Sequence, residues 1–106
     1  MTTTITEKKI DSKIETEKNI ELYKPKKYKV ILINDDYTPF EFVVSLLMNI
    51  FDHNSQEAYN ITMKVHTEGS AIAGIYTYDI ALQKQTDSIY LAQSFGFPLK
   101  LILEEC

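Results

Sequence analysis

The sequence predicts a small α+β domain, in which a three-stranded antiparallel sheet carries three helices packed on one face. Short β-rich apolar stretches are interleaved with longer stretches whose apolar residues recur at helical spacing, and the order along the chain is β-α-α-β-α-β. So few elements make one sheet with its helices on a single side. Neither an internal repeat nor a low-complexity segment interrupts this pattern.

The first strand leads into a polar loop. Residues 28–33 form an almost uninterrupted apolar and β-branched run, which predicts a buried strand. The run ends at Asn34, Asp35 and Asp36, with no basic residue beside them. We call residues 34–38 the acidic loop. Because loops on rigid supports often carry binding sites, this loop is the first candidate site.

The helix after the acidic loop has a complete start signal. Thr38 is the predicted N-cap, and Pro39 suits the first helical position, where no N–H is needed. Glu41 follows three residues after Thr38, as a capping box requires, while Tyr37 and Phe42 are placed for a hydrophobic staple. The inward positions of this helix, which should end around residues 52–53, are Phe40, Val43, Val44, Leu47, Ile50 and Phe51.

The second helix is predicted over residues 55–67. Asn54 and Glu57 form another capping signature, and Gly69 suits the left-handed position that ends a helix. The apolar stripe of this helix consists of Ala58, Ile61 and Val65.

A strand over residues 70–76, a third helix and a closing strand complete the domain. The third helix is expected to begin at Thr77 or Asp79, and Gly96 followed by Pro98 ends it. Its predicted core positions are Ile80, Ala81, Ile89, Ala92 and Phe95. In the closing strand Leu99, Leu101 and Leu103 alternate with Lys100, Ile102 and Glu104.

Composition and charge narrow the classes of function. The chain has 106 residues, 44% of them hydrophobic, which suits one small globular domain and a tail. A net charge of −4 argues against nucleic acid or an anionic membrane as the main partner, because both need basic patches. Cys106 has no second cysteine to pair with, and no signal peptide or spanning segment is visible. We therefore expect a cytoplasmic monomer.

Residues 1–24 differ from the rest of the chain and are predicted to be a flexible N-terminal extension. They are rich in Thr, Lys and Glu, and they lack an aromatic residue before Tyr23. Such a segment cannot bury enough apolar surface to offset its ordering entropy. A solvated leader is slightly favoured over an arm that engages a partner. The core domain is placed at residues 25–106.

Nothing in the sequence supports catalysis. The glycines are too scattered for a phosphate loop, and neither a serine elbow nor a His-x-x-x-His pair is present. Asp35 and Asp36 are adjacent, so on an extended backbone their side chains diverge and are poorly placed to share a proton. A metal site would have to recruit these two aspartates with His53 and His66, whose spacing does not support one. We expect neither an enzyme nor a metal or cofactor.

The same residues suit the binding of a cation. Asn34, Asp35 and Asp36 offer oxygen acceptors at a strand end, and His66 can present a neutral ring nitrogen. A primary ammonium has three donors and is the compact group that fits such acceptors. If the first two helices converge, an apolar pocket would adjoin the ammonium site and read a peptide's first side chain. The residues of that pocket are Thr38, Phe40, Val43, Thr62 and Val65.

On the residues alone, a plainer interpretation is favoured. In this interpretation the acidic loop is an Asx-rich turn, Phe40 and Val65 belong to the core, and His66 caps a helix. Two further functions also stay open. One is a regulatory or scaffold domain that binds a protein through the acidic loop, and the other is a sensor of an amino acid or amine.

A specific motif favours the binding interpretation over the plainer one. The run from Tyr28 to Pro39 places Asn-Asp-Asp-Tyr-Thr-Pro after a buried strand, and Glu41-Phe42-Val43 follows. Other features are Val65-His66 with Gly69 three residues on, Ala71-Ile72-Ala73-Gly74, and Pro98-Leu99. Together they resemble the signature of the ClpS family of adaptor proteins, over roughly residues 23–104.

The resemblance implies an adaptor that binds proteins with a destabilising first residue (Leu, Phe, Tyr or Trp) and hands them to a ClpA- or ClpC-type AAA+ unfoldase for degradation by ClpP. Asn34, Asp35 and His66 would contact the α-amino group, while Asp36 and Thr38 would orient the loop and the peptide backbone. The side-chain pocket would be lined by Phe40, Val43, Thr62, Val65 and Leu99. The surface around Asp79 and Lys84 would face the unfoldase, and residues 1–24 would be the extension needed for delivery.

Two positions depart from the family pattern. Thr62 stands where the family usually has a methionine at the pocket mouth, and Phe40 stands where it often has another. Since Thr is smaller than Met, we expect a roomier entrance that admits Ile or Val, with Phe40 taking back part of the volume. A missing methylene shifts discrimination by only roughly 1–3 kcal/mol, so selectivity should change while binding is kept.

Overall fold

The computed structural model describes residues 25–106, and the predicted extension at residues 1–24 lies outside this range. The elements follow the predicted order β-α-α-β-α-β. They are β1 (Lys27–Ile33), α1 (Phe40–Asn49), α2 (Ser55–Glu68), β2 (Ser70–Thr77), α3 (Tyr78–Ser94) and β3 (Lys100–Glu105). The predicted fold class is confirmed.

The sheet is antiparallel, and β1 lies in its centre between β2 and β3. Ala71, Leu32 and Leu101 lie side by side across the three strands and are buried on the inner face. A register shift beside Val30 leaves Ala73 without a partner on β1, as in a β-bulge.

One hydrophobic core lies between the inner face of the sheet and the helices. Val30 and Leu32 from β1 and Leu46 and Leu47 from α1 are almost completely buried there. The third helix contacts all three strands, whereas α2 packs on α1 and β2. No described helix covers the opposite face of the sheet, where Ile72 is 43% exposed. The domain therefore has two layers.

Both predicted ends of α2 are confirmed. Asn54 accepts a hydrogen bond from the Glu57 N–H at 2.8 Å, and the Glu57 carboxylate accepts one from the Asn54 N–H at 3.2 Å, which completes the capping box. Gly69 ends the helix with a φ of 95°, a left-handed conformation that glycine adopts without steric strain. Its carbonyl accepts a hydrogen bond from the Asn34 N–H at 2.9 Å. The end of α2 is thereby tied to the acidic loop.

The predicted start of α1 is wrong in its details. Pro39 is the N-cap, in an extended conformation, and no side chain caps the helix. The Thr38 hydroxyl donates to the carboxylate of Asp35 at 2.8 Å, so it serves the loop and not the helix. Tyr37 is 77% exposed, and the predicted staple with Phe42 is therefore absent.

Three other positions differ from the prediction. The first helix ends at Asn49, before the predicted end, and Asp52 then turns the chain with a left-handed φ of 61°. Ile80 and Phe95 were expected in the core but are 50% and 62% exposed. The reason is that α3 buries only a narrow stripe of small residues, namely Ala81, Ser88 and Ala92.

Candidate functional site

The acidic loop folds back on the carboxylate of Asp35. Its Oδ1 atom accepts hydrogen bonds from the N–H groups of Tyr37 at 2.8 Å and Thr38 at 2.7 Å, and its Oδ2 atom accepts one from the Thr38 hydroxyl at 2.8 Å. This is the Asx turn of the plainer interpretation. Each carboxylate oxygen has two lone pairs, so Oδ2 keeps one acceptor position. Asp35 can therefore shape the loop and still bind a donor.

Burial and hydrogen bonding shift the pKa of Asp35 in opposite directions. Partial burial raises the pKa of its carboxyl group, whereas the hydrogen bonds from Thr38 and Tyr37 lower it, and the resulting pKa lies below the ordinary value of 3.8. The neighbouring Asp36 is exposed and forms no ion pair with another described residue. At neutral pH the loop thus presents negative charge that no described cation neutralises.

Protonation of Asp35 is expected to destabilise the protein in acid. A carboxyl group whose pKa is lower in the folded state contributes stability that is present above its unfolded pKa and is lost as the pH falls through its folded pKa. In urea denaturation, the difference in unfolding free energy between wild type and Asp35→Asn should therefore be largest near neutral pH and shrink below about pH 4. A constant difference down to about pH 2 would contradict the lowered pKa.

The acidic loop, the start of α1 and one side of α2 enclose a cavity of about 370 Å³. The residues that line it are Asn34, Asp35, Asp36, Thr38, Phe40, Val43, Thr62, Val65 and His66. The structure thus brings together nine of the ten residues that the resemblance places around a substrate. The tenth, Leu99, is 6% exposed in the core and does not line this cavity.

The apolar end of the cavity is built by α1 and α2. Val43 and Val65 are only 5% and 4% exposed, so the core holds them in place. Thr62 is 3% exposed, and its hydroxyl donates to the Ala58 carbonyl at 2.7 Å. Because the helix backbone engages this hydroxyl, the methyl group is the part of Thr62 that can meet a ligand. The cavity is therefore apolar at Thr62.

Phe40 forms the wall of the cavity at the start of α1. Its ring meets those of Tyr59 and His66 edge-on, with centroids 5.4 Å and 6.4 Å away. Tyr59 is not among the predicted pocket residues, although it lies three residues before Thr62 and hence on the same side of α2. The two rings of α2 hold the orientation of Phe40.

Residues 25–106 contain neither a metal cluster nor a membrane-spanning helix. In the part of the chain that the structure describes, no three His, Cys, Asp or Glu side chains are grouped to hold a metal ion. His53, which the metal alternative would use, contacts the Ala73 carbonyl and the Glu57 carboxylate. Within residues 25–106, no helix has the length and apolar character needed to cross a bilayer.

Comparison with known proteins assigns the chain to a family. The family model described as "ATP-dependent Clp protease adaptor protein ClpS" matches residues 23–102. The chain belongs to the ClpS family. It is 47% identical over 94 residues to the ATP-dependent Clp protease adapter protein ClpS of Nautilia profundicola, a match that covers 89% of this chain and 97% of that one. The ClpS of Clostridium acetobutylicum is 48% identical over 95 residues, covering 90% and 92%.

A solved ClpS structure has the same fold. Agrobacterium tumefaciens ClpS2 bound to L-phenylalaninamide matches with a TM-score of 0.76 and 38% sequence identity, covering 78% of this chain and 100% of that one. The resemblance inferred from the motifs is confirmed, and the protein is a Clp protease adaptor of the ClpS type.

The ClpS resemblance also pointed to Asp79 and Lys84, and the structure places them differently. Asp79 is exposed in the first turn of α3. Lys84 is half-buried, where its ammonium donates to the Ile50 carbonyl at 2.7 Å and lies 5.9 Å and 5.4 Å from the ring centroids of Phe51 and Tyr76. Two residues five apart on a helix point about 140° away from each other. Lys84 therefore supports the end of α1, while Asp79 is accessible to a partner.

Replacing Lys84 with alanine is expected to lower the free energy of unfolding by about 1–2 kcal/mol, since it removes a charge-assisted hydrogen bond and two cation–π contacts. Urea denaturation measures this change, and Lys64→Ala on the exposed side of α2 is the matched control. A Lys84→Ala midpoint equal to that of wild type would contradict the internal role. If the midpoint is unchanged and Lys84→Ala nevertheless binds the unfoldase less well, Lys84 contacts the unfoldase directly.

Proposed function

We propose that this ClpS-family adaptor recognises N-degron substrates, which have a free α-amino group and a bulky hydrophobic first residue (Leu, Phe, Tyr or Trp), and delivers them to a ClpA- or ClpC-type AAA+ unfoldase for degradation by ClpP. One observation carries the proposal: a single cavity has hydrogen-bond acceptors at one end and buried apolar side chains at the other. Such a cavity can read the amine and the first side chain together, and neither group alone suffices.

The polar end of the cavity suits an ammonium group. The side-chain oxygen of Asn34, the remaining lone pair on Asp35 Oδ2 and a ring nitrogen of His66 would accept its three N–H donors. An α-amino group has a pKa near 8, so it is mostly protonated at neutral pH. The negative charge of the loop favours this protonated form. Asp36 and Thr38, at the same end, would orient the loop and the peptide backbone.

The apolar end of the cavity suits the first side chain. Phe40, Val43, Thr62 and Val65 would surround it, with Leu99 as a further wall residue inferred from the family. The phenylalaninamide bound by ClpS2 supports this assignment, because it combines a free amine with an apolar side chain. Thr62 offers only a methyl group, and we propose that this leaves room for the β-branched residues Ile and Val as well.

Delivery requires a second surface. We assign it to the exposed start of α3 around Asp79, with Lys84 contributing through its hydrogen bond to the Ile50 carbonyl at the end of α1. By the family resemblance, residues 1–24 would act as the extension that delivery to the unfoldase needs. The adaptor would work as a monomer in the cytoplasm, without a cofactor.

Fluorescence anisotropy with labelled peptides that differ only at the first residue tests the proposal. Leu, Phe, Ile, Val and Ala peptides would be compared with an N-acetylated Leu peptide. Leu and Phe should bind tightly and Ala weakly, and acetylation should abolish binding because it removes the positive charge and two of the three N–H donors. Equal, weak binding across the series would overturn the proposal.

Competition with unlabelled leucine separates an adaptor from an amino-acid sensor. A free amino acid places a carboxylate where a substrate has a neutral peptide bond, close to the negative charge of Asp36. Leucinamide and a long Leu peptide should therefore both compete, and free leucine should compete poorly. A sensor would show the opposite order.

A further inference from the structure

An apolar groove lies beside the candidate N-degron cavity. It has a volume of about 540 Å³ and is formed by one side of α1 together with one residue of α2. The residues that line it are Phe40, Glu41, Val44, Ser45, Met48, Asn49 and Tyr59. We call it the outer groove.

The outer groove is continuous with the first cavity through Phe40, which lines both. The ring of Tyr59 stands edge-on against Phe40 with centroids 5.4 Å apart, and Tyr59 lines only the outer groove. The two spaces are therefore separated by one aromatic side chain. A bound peptide that leaves the first cavity past Phe40 enters the outer groove.

The surface of the outer groove is apolar and open. Met48 and Tyr59 are 39% and 46% exposed, although both are large hydrophobic residues. The Asn49 amide donates to the Ser45 hydroxyl at 3.1 Å, so these two polar groups engage each other at the rim. An exposed apolar patch enclosed by polar residues is typical of a binding surface.

We propose that the outer groove binds an apolar or aromatic side chain from the second or third residue of the substrate whose first residue occupies the cavity. This inference rests on the proposed function and extends it to the sequence that follows the first residue. An extended peptide advances about 3.4 Å per residue, so its second and third residues lie within roughly 7 Å of the first. Phe40 lines both spaces, so the outer groove begins where the first cavity ends.

Peptides that share a first Leu test the proposal. The probes are labelled peptides beginning Leu-Ala-Ala, Leu-Phe-Ala and Leu-Ala-Phe, with the same polar continuation. For the wild-type chain, one of the two Phe-containing peptides should bind about fivefold tighter than Leu-Ala-Ala, since part of an aromatic ring is removed from water. Met48→Ser should reduce this ratio to within about twofold, because it removes one wall of the groove. Ile72→Ser, on the uncovered face of the sheet, is the matched control and should keep the ratio.

The outcomes separate this inference from the proposed function. If Leu-Ala-Ala binds but neither Phe residue improves the affinity, the outer groove is not a second subsite, and the first cavity stands. The same conclusion follows if the affinity ratio of the Phe-containing peptide to Leu-Ala-Ala is the same in Met48→Ser as in Ile72→Ser. If Met48→Ser weakens binding of the unfoldase N-terminal domain and leaves the peptide ratio intact, the groove belongs to that partner. If no Leu peptide binds, both proposals fall.

Discussion

Replacing Asp35 with alanine is expected to weaken the binding of Leu-initiated peptides roughly a hundredfold, which corresponds to about 3 kcal/mol. The change removes the counter-charge of a desolvated ammonium group. It also leaves the N–H groups of Tyr37 and Thr38 and the Thr38 hydroxyl without their acceptor, so the loop loses its turn. Fluorescence anisotropy measures the affinity, and an affinity within about twofold of wild type would refute the assignment.

A second variant separates these two causes. Asp35→Asn keeps an acceptor oxygen for the N–H groups of the loop, but it removes the negative charge and puts an NH2 donor in place of Oδ2, the proposed acceptor of the ammonium group. If the contact with the ammonium group is the main contribution, Asp35→Asn should lose most of the affinity while its unfolding midpoint at neutral pH stays closer to wild type than that of Asp35→Ala. Asp87→Ala, which removes a surface carboxylate of α3, controls for the change in net charge and should bind normally.

Replacing Thr62 with methionine is expected to sharpen selection against β-branched first residues. Thr62 is buried at the apolar end of the cavity, and its hydroxyl is already bonded to the Ala58 carbonyl, so the substitution adds volume and removes no hydrogen bond to a ligand. The longer side chain should exclude Ile and Val more than Leu. We expect the ratio of Leu to Ile affinity to rise about tenfold or more, within the roughly 1–3 kcal/mol that such volume changes supply.

The same helix offers a matched control for this substitution. Thr67 also donates its hydroxyl to a backbone carbonyl four residues earlier, at 2.9 Å, but its side chain is exposed. Thr67→Met therefore reproduces the loss of a Thr hydroxyl on α2 without filling the cavity. An unchanged Leu-to-Ile ratio in Thr62→Met would mean that Thr62 does not set selectivity. Phe40, the other departure from the family pattern, would then be the residue to vary.

Local signals in the sequence determined the element order, the fold class and most of the candidate site. The run over residues 28–33 identified the buried strand, and Asn54 with Gly69 marked both ends of α2, because capping and left-handed positions depend on few neighbours. The polar run from Asn34 to Asp36 is equally local. These features, together with the ClpS motif, were enough to name nine residues that line one cavity.

The tertiary structure decided which of several available partners a polar or aromatic side chain takes. Thr38 could cap a helix or bond to Asp35, and the closed loop favours the aspartate. A lysine on a helix is usually a surface cation, yet the Lys84 ammonium is hydrogen-bonded to the end of α1 and lies over two aromatic rings. Tyr59 reaches Phe40 only because α1 and α2 pack together. The contacts of Lys84 and Tyr59 join residues far apart in the chain, and their energies depend on packing that no local pattern of residues encodes.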